Sequence, residues 1–409
     1  MANCNISCST IWLCVKFLEK VEKDMKKNYL KLLALCMVAV MALFAFAGCN
    51  DTSDQQQGNN NDDETKTFII GSIGPLTGGT ASYGLSAKQG AEVAVAEINA
   101  NGGVAGYTLQ LLAEDDQNDA EKSVNAYNTL MDKGMNALVG SVTSVPCIAV
   151  TDVSSLDGLL QITPSASAAK AAQYDNCFRI CFTDPQQGEH MAQYIWDQGI
   201  TNCAVLYDTA DAYSSGINDA FQVAYKDLGG TIATAEAFNS GDVDFHTQLT
   251  SIKNSGAQAL FMPFYYQEVA YVANQAGDVG LTVPYFGCDG WDGVIKQLNG
   301  DTSLINGAAF LTPFFANAED EKTKGFVEAY QQTYGAVPDQ FAADGYDAVY
   351  AIAAALEKAG STDNAALVAA MHEIEIDGVT GHMSWDENGD ATKSAIIAIV
   401  QDGDIVPAQ

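Results

Sequence analysis

The sequence predicts an α/β protein of two doubly wound lobes, each a parallel sheet flanked by helices. Three observations carry this expectation. The chain has 409 residues, too many for one ordinary core and enough for two behind an export segment. From residue 68 onward, short β-rich runs alternate with helical periodicity, the pattern of βαβ units. The alternation then pauses and starts again near Cys177.

The first 66 residues stand outside that pattern. Residues 25–50 read MKKNYLKLLALCMVAVMALFAFAGCN. Lys26, Lys27 and Lys31 precede an uninterrupted apolar run over 32–47, and small Ala47 and Gly48 precede Cys49. That is the order of a secretory signal over 25–48. The ending FAGC resembles a bacterial lipobox, which implies that Cys49 is lipidated and that the protein is extracytoplasmic and held to the cell membrane. The alternative is an uncleaved anchor, for which the run is slightly short. A signal's basic region normally starts the chain, so Met25 is the expected translation start and 1–24 a non-native upstream extension. Residues 49–66 are polar, cannot bury a core, and read as a flexible tether.

The elements follow in order. TFIIGSIGPL reads as a buried strand ending in a Gly/Pro turn. Ala87, Ala91, Ala94, Val95 and Ile98 recur at helical spacing over 84–99, and Asn101-Gly102-Gly103 stops that helix. Strands are expected at 107–114, 137–140 and 159–164, with a helix at 120–133. Residues 177–182 read as a strand or a crossing segment. Helices are then expected at 188–198, 215–228, 245–255 and 267–276, and strands at 203–207, 231–238, 259–264 and 283–286. Three more helices fall near 319–334, 345–358 and 364–372. WDENGD, the run 395–400 and Asp402-Gly403-Asp404 close the chain as a strand pair with a turn.

In doubly wound sheets, ligands bind where loops gather at the carboxyl ends of the strands. Just beyond the expected strands stand Gly140-Ser141-Val142-Thr143-Ser144, Thr163-Pro164-Ser165-Ala166-Ser167, the segment from Asp208 to Tyr213, Tyr265-Tyr266 and Asp289.

Composition narrows the function. Nineteen basic and 51 acidic residues give a formal charge of −32, and Arg179 is the sole arginine. Such a surface repels phosphate backbones and excludes nucleic-acid binding. Of ten cysteines, Cys147, Cys177, Cys181, Cys203 and Cys288 lie in the folded part, in apolar stretches, and read as buried small hydrophobes.

In this order, IGSIGPLTGGTASYG, GAEVAVAEINANGG, LLAEDDQND, ITPSAS, VLYDTADAYSSG and MSWDENGD resemble the branched-chain amino-acid-binding proteins of bacterial ABC importers. That family has the type I periplasmic-binding-protein fold. The likeness runs from about residue 66 to the C-terminus. It implies two lobes joined by three crossovers with a ligand cleft between them. Lobe one is placed at 66–186 and 314–380, and lobe two at 187–313 and 381–409. The resemblance further implies a small amino-acid ligand, transient docking on an ABC permease, no cofactor and a monomer.

By the same resemblance, the hydroxyl and backbone N–H of Ser144 grip the ligand carboxylate. Ala166 and Ser167 match a loop that offers a carbonyl to the ammonium and donors to the carboxylate. Tyr213 reaches the ligand head, Asp289 pairs with the ammonium, and Tyr83 and Tyr265 form aromatic walls. Each has a structural alternative: Asp289 as a turn former before Gly290, Ser144 as a helix cap, Ser165 and Ser167 as a cap and a turn residue, the tyrosines as packing. The chain also departs from the family. Asn118 and Thr143 stand where some members carry a disulfide, so packing and hydrogen bonds must hold that loop. The motifs do not specify the side-chain pocket.

An enzyme is not expected. The four histidines stand alone, there is no G-x-S-x-G elbow or Walker A loop, and Asp115 and Asp116 are adjacent and point apart on a strand. Two other readings stay open: a sensing module for a membrane signalling partner, and transport of an amide, urea or aromatic acid. Asp289 argues for a cationic group on the ligand.

Overall fold

The computed structural model describes residues 66–393 and 395–408, and Glu64–Gln409 form one compact unit. The upstream extension, the signal segment, Cys49 and the tether lie outside the described residues, except Lys66, which opens the first strand.

The first lobe begins with β1 (Lys66–Gly74), α1 (Ala81–Ala100), β2 (Tyr107–Asp115), α2 (Ala120–Asp132), β3 (Ala137–Gly140), α3 (Ser144–Asp157), β4 (Gln161–Thr163) and β5 (Cys177–Arg179). Its strands form a parallel sheet in the order β2-β1-β3-β4-β5. The chain then crosses into α4 (Asp184–Asp197), β6 (Asn202–Asp208), α5 (Ala212–Asp227), β7 (Thr231–Phe238), α6 (His246–Asn254), β8 (Ala259–Met262), α7 (Tyr266–Val279), β9 (Tyr285–Gly287), α8 (Val294–Gln297) and β10 (Ala309–Thr312). It returns for α9 (Glu321–Tyr334), α10 (Gln340–Ala359), α11 (Asn364–Met371) and the ribbon β11 (Glu375–Gly378) with β12 (Gly381–Ser384). A third crossing leads to β13 (Ile396–Gln401) and β14 (Asp404–Pro407), antiparallel at one edge of the second sheet, whose order is β14-β13-β10-β9-β8-β6-β7.

The local reasons are plain. Helices cover both faces of each sheet, so central strands such as Ala259–Met262 are buried at every residue and read as continuous apolar runs. Aspartates at 119, 211, 320, 339 and 363 accept backbone N–H bonds at helix starts, and Thr183 forms a capping box with Gln186. Helices α1 and α10 meet backbone to backbone. A Cβ on Gly90 would overlap the carbonyl of Ala342, and one on Gly345 would overlap that of Ala87. The five cysteines at 147, 177, 181, 203 and 288 are free and buried.

The structure moves one boundary. Residues 381–391, expected in lobe two, pack in lobe one: β12 pairs with β11, and Met383, Trp385 and Ala391 join the core of Phe68, Phe178 and Ile352. The third crossover therefore lies near 392–395. Strand β10, helix α8 and the β11–β12 ribbon have no counterpart among the expected elements, because four-residue runs carry too few positions to show a period. Helix α3 is expected only as the helix that Ser144 would cap, with no range. Helix α10 starts at Gln340, five residues before the expected start. Among the described residues, no helix is long and apolar enough to cross a membrane.

Candidate functional site

Both sheets aim the carboxyl ends of their parallel strands at one small cavity. Ser144 opens α3 just after β3, and Tyr213 lies in the first turn of α5 after β6. Tyr265 follows β8, and Asp289 begins a short 3-10 turn after β9. Tyr83 comes from the first turn of α1. These five, all expected from the sequence, line the cavity together with Val142, Thr143, Ser165, Gly290 and Phe341. Its volume is about 10 Å³, no more than one water occupies.

The lobe-two wall is aromatic around one acid. Asp289 is 4 % exposed, and its Oδ1 accepts a 2.7 Å bond from the Tyr213 hydroxyl. Its backbone is fixed from both sides: its N–H donates to Gln187 Oε1 (3.1 Å), and its carbonyl accepts from Gln340 Nε2 (2.6 Å). Burial pushes the Asp289 carboxyl up to about 6, and the bond from Tyr213 resists that rise. Tyr213 stacks on Tyr265 with ring centroids 4.9 Å apart and planes 10° from parallel. Tyr83 meets Tyr265 edge-on at 5.5 Å and Phe341 at 4.3 Å, while its hydroxyl donates to the Gly290 carbonyl. Burial raises the tyrosines at 83, 213 and 265 well above the usual phenol range, so they remain protonated donors.

The lobe-one wall is neutral and rich in donors. Helix α3 points its N-terminus at the cavity, and Thr143, at its cap, makes no side-chain capping bond. The Thr143 hydroxyl instead donates to Asn118 Oδ1 (2.7 Å), joining the two loops. Free N–H groups and the helix dipole favour an anion there. Ser144 Oγ accepts from Ala168 N–H (3.2 Å), and Ser165 Oγ donates to the Val142 carbonyl (2.6 Å).

The structure does not bring Ala166 and Ser167 to the cavity. Both are buried behind it. The Ala166 carbonyl accepts from Arg179 Nη1 (3.2 Å), so it is a poor acceptor for an ammonium. The Ser167 hydroxyl donates to Asp184 Oδ1 (2.6 Å) and accepts from Gln187 Nε2 (3.3 Å). Ser165, one residue earlier, takes the cavity position. Phe341 escapes a search of post-strand loops because it follows no strand; it lies in the first turn of α10. The only sequence signal for it is the Pro-Asp pair, Pro338-Asp339, that opens that helix. Among the described residues, no group of three or more His, Cys, Asp or Glu could hold a metal ion.

The two walls together can hold a small molecule with an anionic end against α3 and a cationic end against Asp289. A family model described as periplasmic binding protein matches residues 67–404. A Leu/Ile/Val-binding protein homolog from Brucella melitensis is 34% identical over 348 residues, covering 83% of this chain and 93% of the relative. A leucine-, isoleucine-, valine-, threonine- and alanine-binding protein from Pseudomonas aeruginosa is 30% identical, covering 90% and 94%. The crystal structure of a branched-chain amino-acid transporter substrate-binding protein from Streptococcus pneumoniae, bound to isoleucine, superposes with a TM-score of 0.77. It is 28% identical and covers 84% of this chain and all of the other.

Proposed function

The chain belongs to the periplasmic binding protein family, and from that premise we propose that it captures a small, apolar amino acid between its lobes and delivers it to an ABC importer. The observation that carries this reading is the pairing across one cavity of a buried carboxylate, Asp289, with the open N-terminus of α3 at Ser144. A zwitterion satisfies both ends at once. A simple anion would leave Asp289 buried and unpaired, which disfavours aromatic acids. The aromatic walls suit an apolar side chain, and the relatives named for Leu, Ile, Val, Thr and Ala support that class.

A cavity of about 10 Å³ cannot admit an amino acid without movement. The lobes open about the three crossovers, the ligand bridges both walls, and its preference for the closed form shifts the equilibrium. Cys49 serves as the lipid anchor that keeps the protein outside the cell, near its permease. A thermal-shift screen of residues 50–409 against the twenty amino acids, short amides and aromatic acids tests the reading. Stabilisation by leucine, isoleucine, valine or alanine is expected, and a response confined to amides or aromatic acids refutes it. Scattering with and without the stabilising ligand should show a decrease in radius of gyration.

A further inference from the structure

We propose that Arg179 is the positioning residue of the ligand site: it sets the direction of the loop over 165–169 and ties that loop to two of the three crossovers. This rests on the amino-acid reading of the cavity. Arg179 is the sole arginine in the chain and is 1 % exposed. Its Nη1 donates to the carbonyls of Ala166 (3.2 Å), Ser167 (2.7 Å) and Ala168 (3.1 Å), and its Nη2 to that of Ala169 (3.3 Å). Its Nε lies 2.6 Å from Asp390 Oδ1.

Four successive carbonyls thus converge on one guanidinium behind the cavity. A loop held this way turns those oxygens toward Arg179 and away from the cavity, which leaves Asp289 as the acceptor for a ligand ammonium. On the same loop, Ala168 N–H holds the Ser144 hydroxyl, which lines the cavity. Arg179 therefore acts on the ligand through the loop and Ser144, without touching the cavity.

The backbone of Arg179 extends the link. Its N–H donates to the Gly389 carbonyl (3.0 Å), and its carbonyl accepts from Trp385 Nε1 (2.8 Å). Two residues past the Asp390–Ala391 step, Lys393 Nζ donates to the Ile180 carbonyl (3.1 Å) and pairs with Asp344 at 2.9 Å. The first crossover, just after Arg179, and the third, beyond Asp390, are joined at the point where the ligand loop is held. Lysine cannot reproduce this arrangement: its ammonium has three donors on a point charge, whereas guanidinium spreads five over a rigid plane.

The test compares the wild-type full chain, in mild detergent, with Arg179→Lys and Asp390→Asn. Hydrogen exchange in the absence of ligand is followed on peptides covering 163–172 and, as internal controls, on β1 and β8. L-leucine is the calorimetric probe. The expected result is exchange at least tenfold faster in 163–172 with β1 and β8 unchanged, and a Kd for leucine at least tenfold higher, in Arg179→Lys. Asp390→Asn should show the same localised pattern to a smaller degree, and it decides the question if Arg179→Lys does not fold. Unchanged exchange over 163–172 in a folded variant overturns the proposal, as does a uniform rise over the whole unit, which a merely structural role would give. Wild type that gives no heat with leucine, isoleucine, valine or alanine refutes the reading of the cavity, while the exchange arm still decides the role of Arg179.

Discussion

The two walls of the cavity differ in kind. Lobe two presents one buried acid beside two stacked tyrosines, whereas lobe one presents hydroxyls, a helix N-terminus and the rings of Tyr83 and Phe341, with no acid. The difference teaches how a neutral ligand can be read for direction. In the proposed function each lobe alone meets one end of a zwitterion, and only the closed pair meets both. On closure lobe two bears the larger cost, because its charge is then desolvated whether or not a cation is present, while lobe one uses dipoles that cost little when unpaired.

Removing the acid should therefore break the comparison most severely. Asp289→Ala leaves a ligand ammonium without its partner, and affinity for leucine should fall by about 3–5 kcal/mol, read by calorimetry. An unchanged Kd would show that the walls do not divide the ligand as argued.

The next effect is on stability and depends on pH. Burial holds the Asp289 carboxyl at about 6, above the ~3.9 of an unfolded aspartate. Between those values the folded protein keeps a proton that the unfolded chain has lost, so the contribution of this group to stability falls as pH rises through the window. In the closed form without ligand, Asp289→Asn should be more stable than wild type by about 3 kcal/mol at pH 7, and the gap should shrink to less than about 1 kcal/mol at pH 4. Chemical denaturation at the two pH values measures it. Affinity moves the opposite way: wild type should bind leucine more weakly as pH drops below 6, where the carboxylate takes up its proton.

Ser144→Ala tests the neutral wall. A hydroxyl lost to a ligand carboxylate should cost about 1.5 kcal/mol, roughly tenfold in Kd, and the Ala168 N–H left without its acceptor should lower stability by about 1 kcal/mol. The smallest effect is expected for Tyr213→Phe. It keeps the stack on Tyr265 and removes two hydroxyl bonds, the one donated to Asp289 and the one accepted from Gly290 N–H, so Kd should rise severalfold, by about 1 kcal/mol. A larger loss than that of Ser144→Ala would mean that the hydroxyl itself meets the ligand.

How far the sequence was legible follows from the same residues. Ser144, Tyr213, Tyr265 and Asp289 lie where a general rule looks, at the carboxyl ends of strands, so they were found without coordinates. Phe341 obeys no such rule, since it reaches the cavity from a helix that begins after the second crossover. Ala166 and Ser167 were misplaced because a loop's direction depends on what lies behind it, here Arg179 and Asp184, contacts that no local pattern encodes. The alternation of strands and helices was readable because amphipathic periods extend over many residues. The short β10, β11 and β12 were not, and with the ribbon went the position of the third crossover.

The bond from Thr143 to Asn118 has a further consequence. Among the described residues every cysteine is free and buried, and the loops that flank the cavity are clasped by an amide and a hydroxyl. Forming the binding unit therefore consumes no oxidant and needs no thiol–disulfide partner. The same fold and the same cavity should arise in oxygen-poor and oxygen-rich surroundings alike, and a reducing agent has nothing at this site to cut.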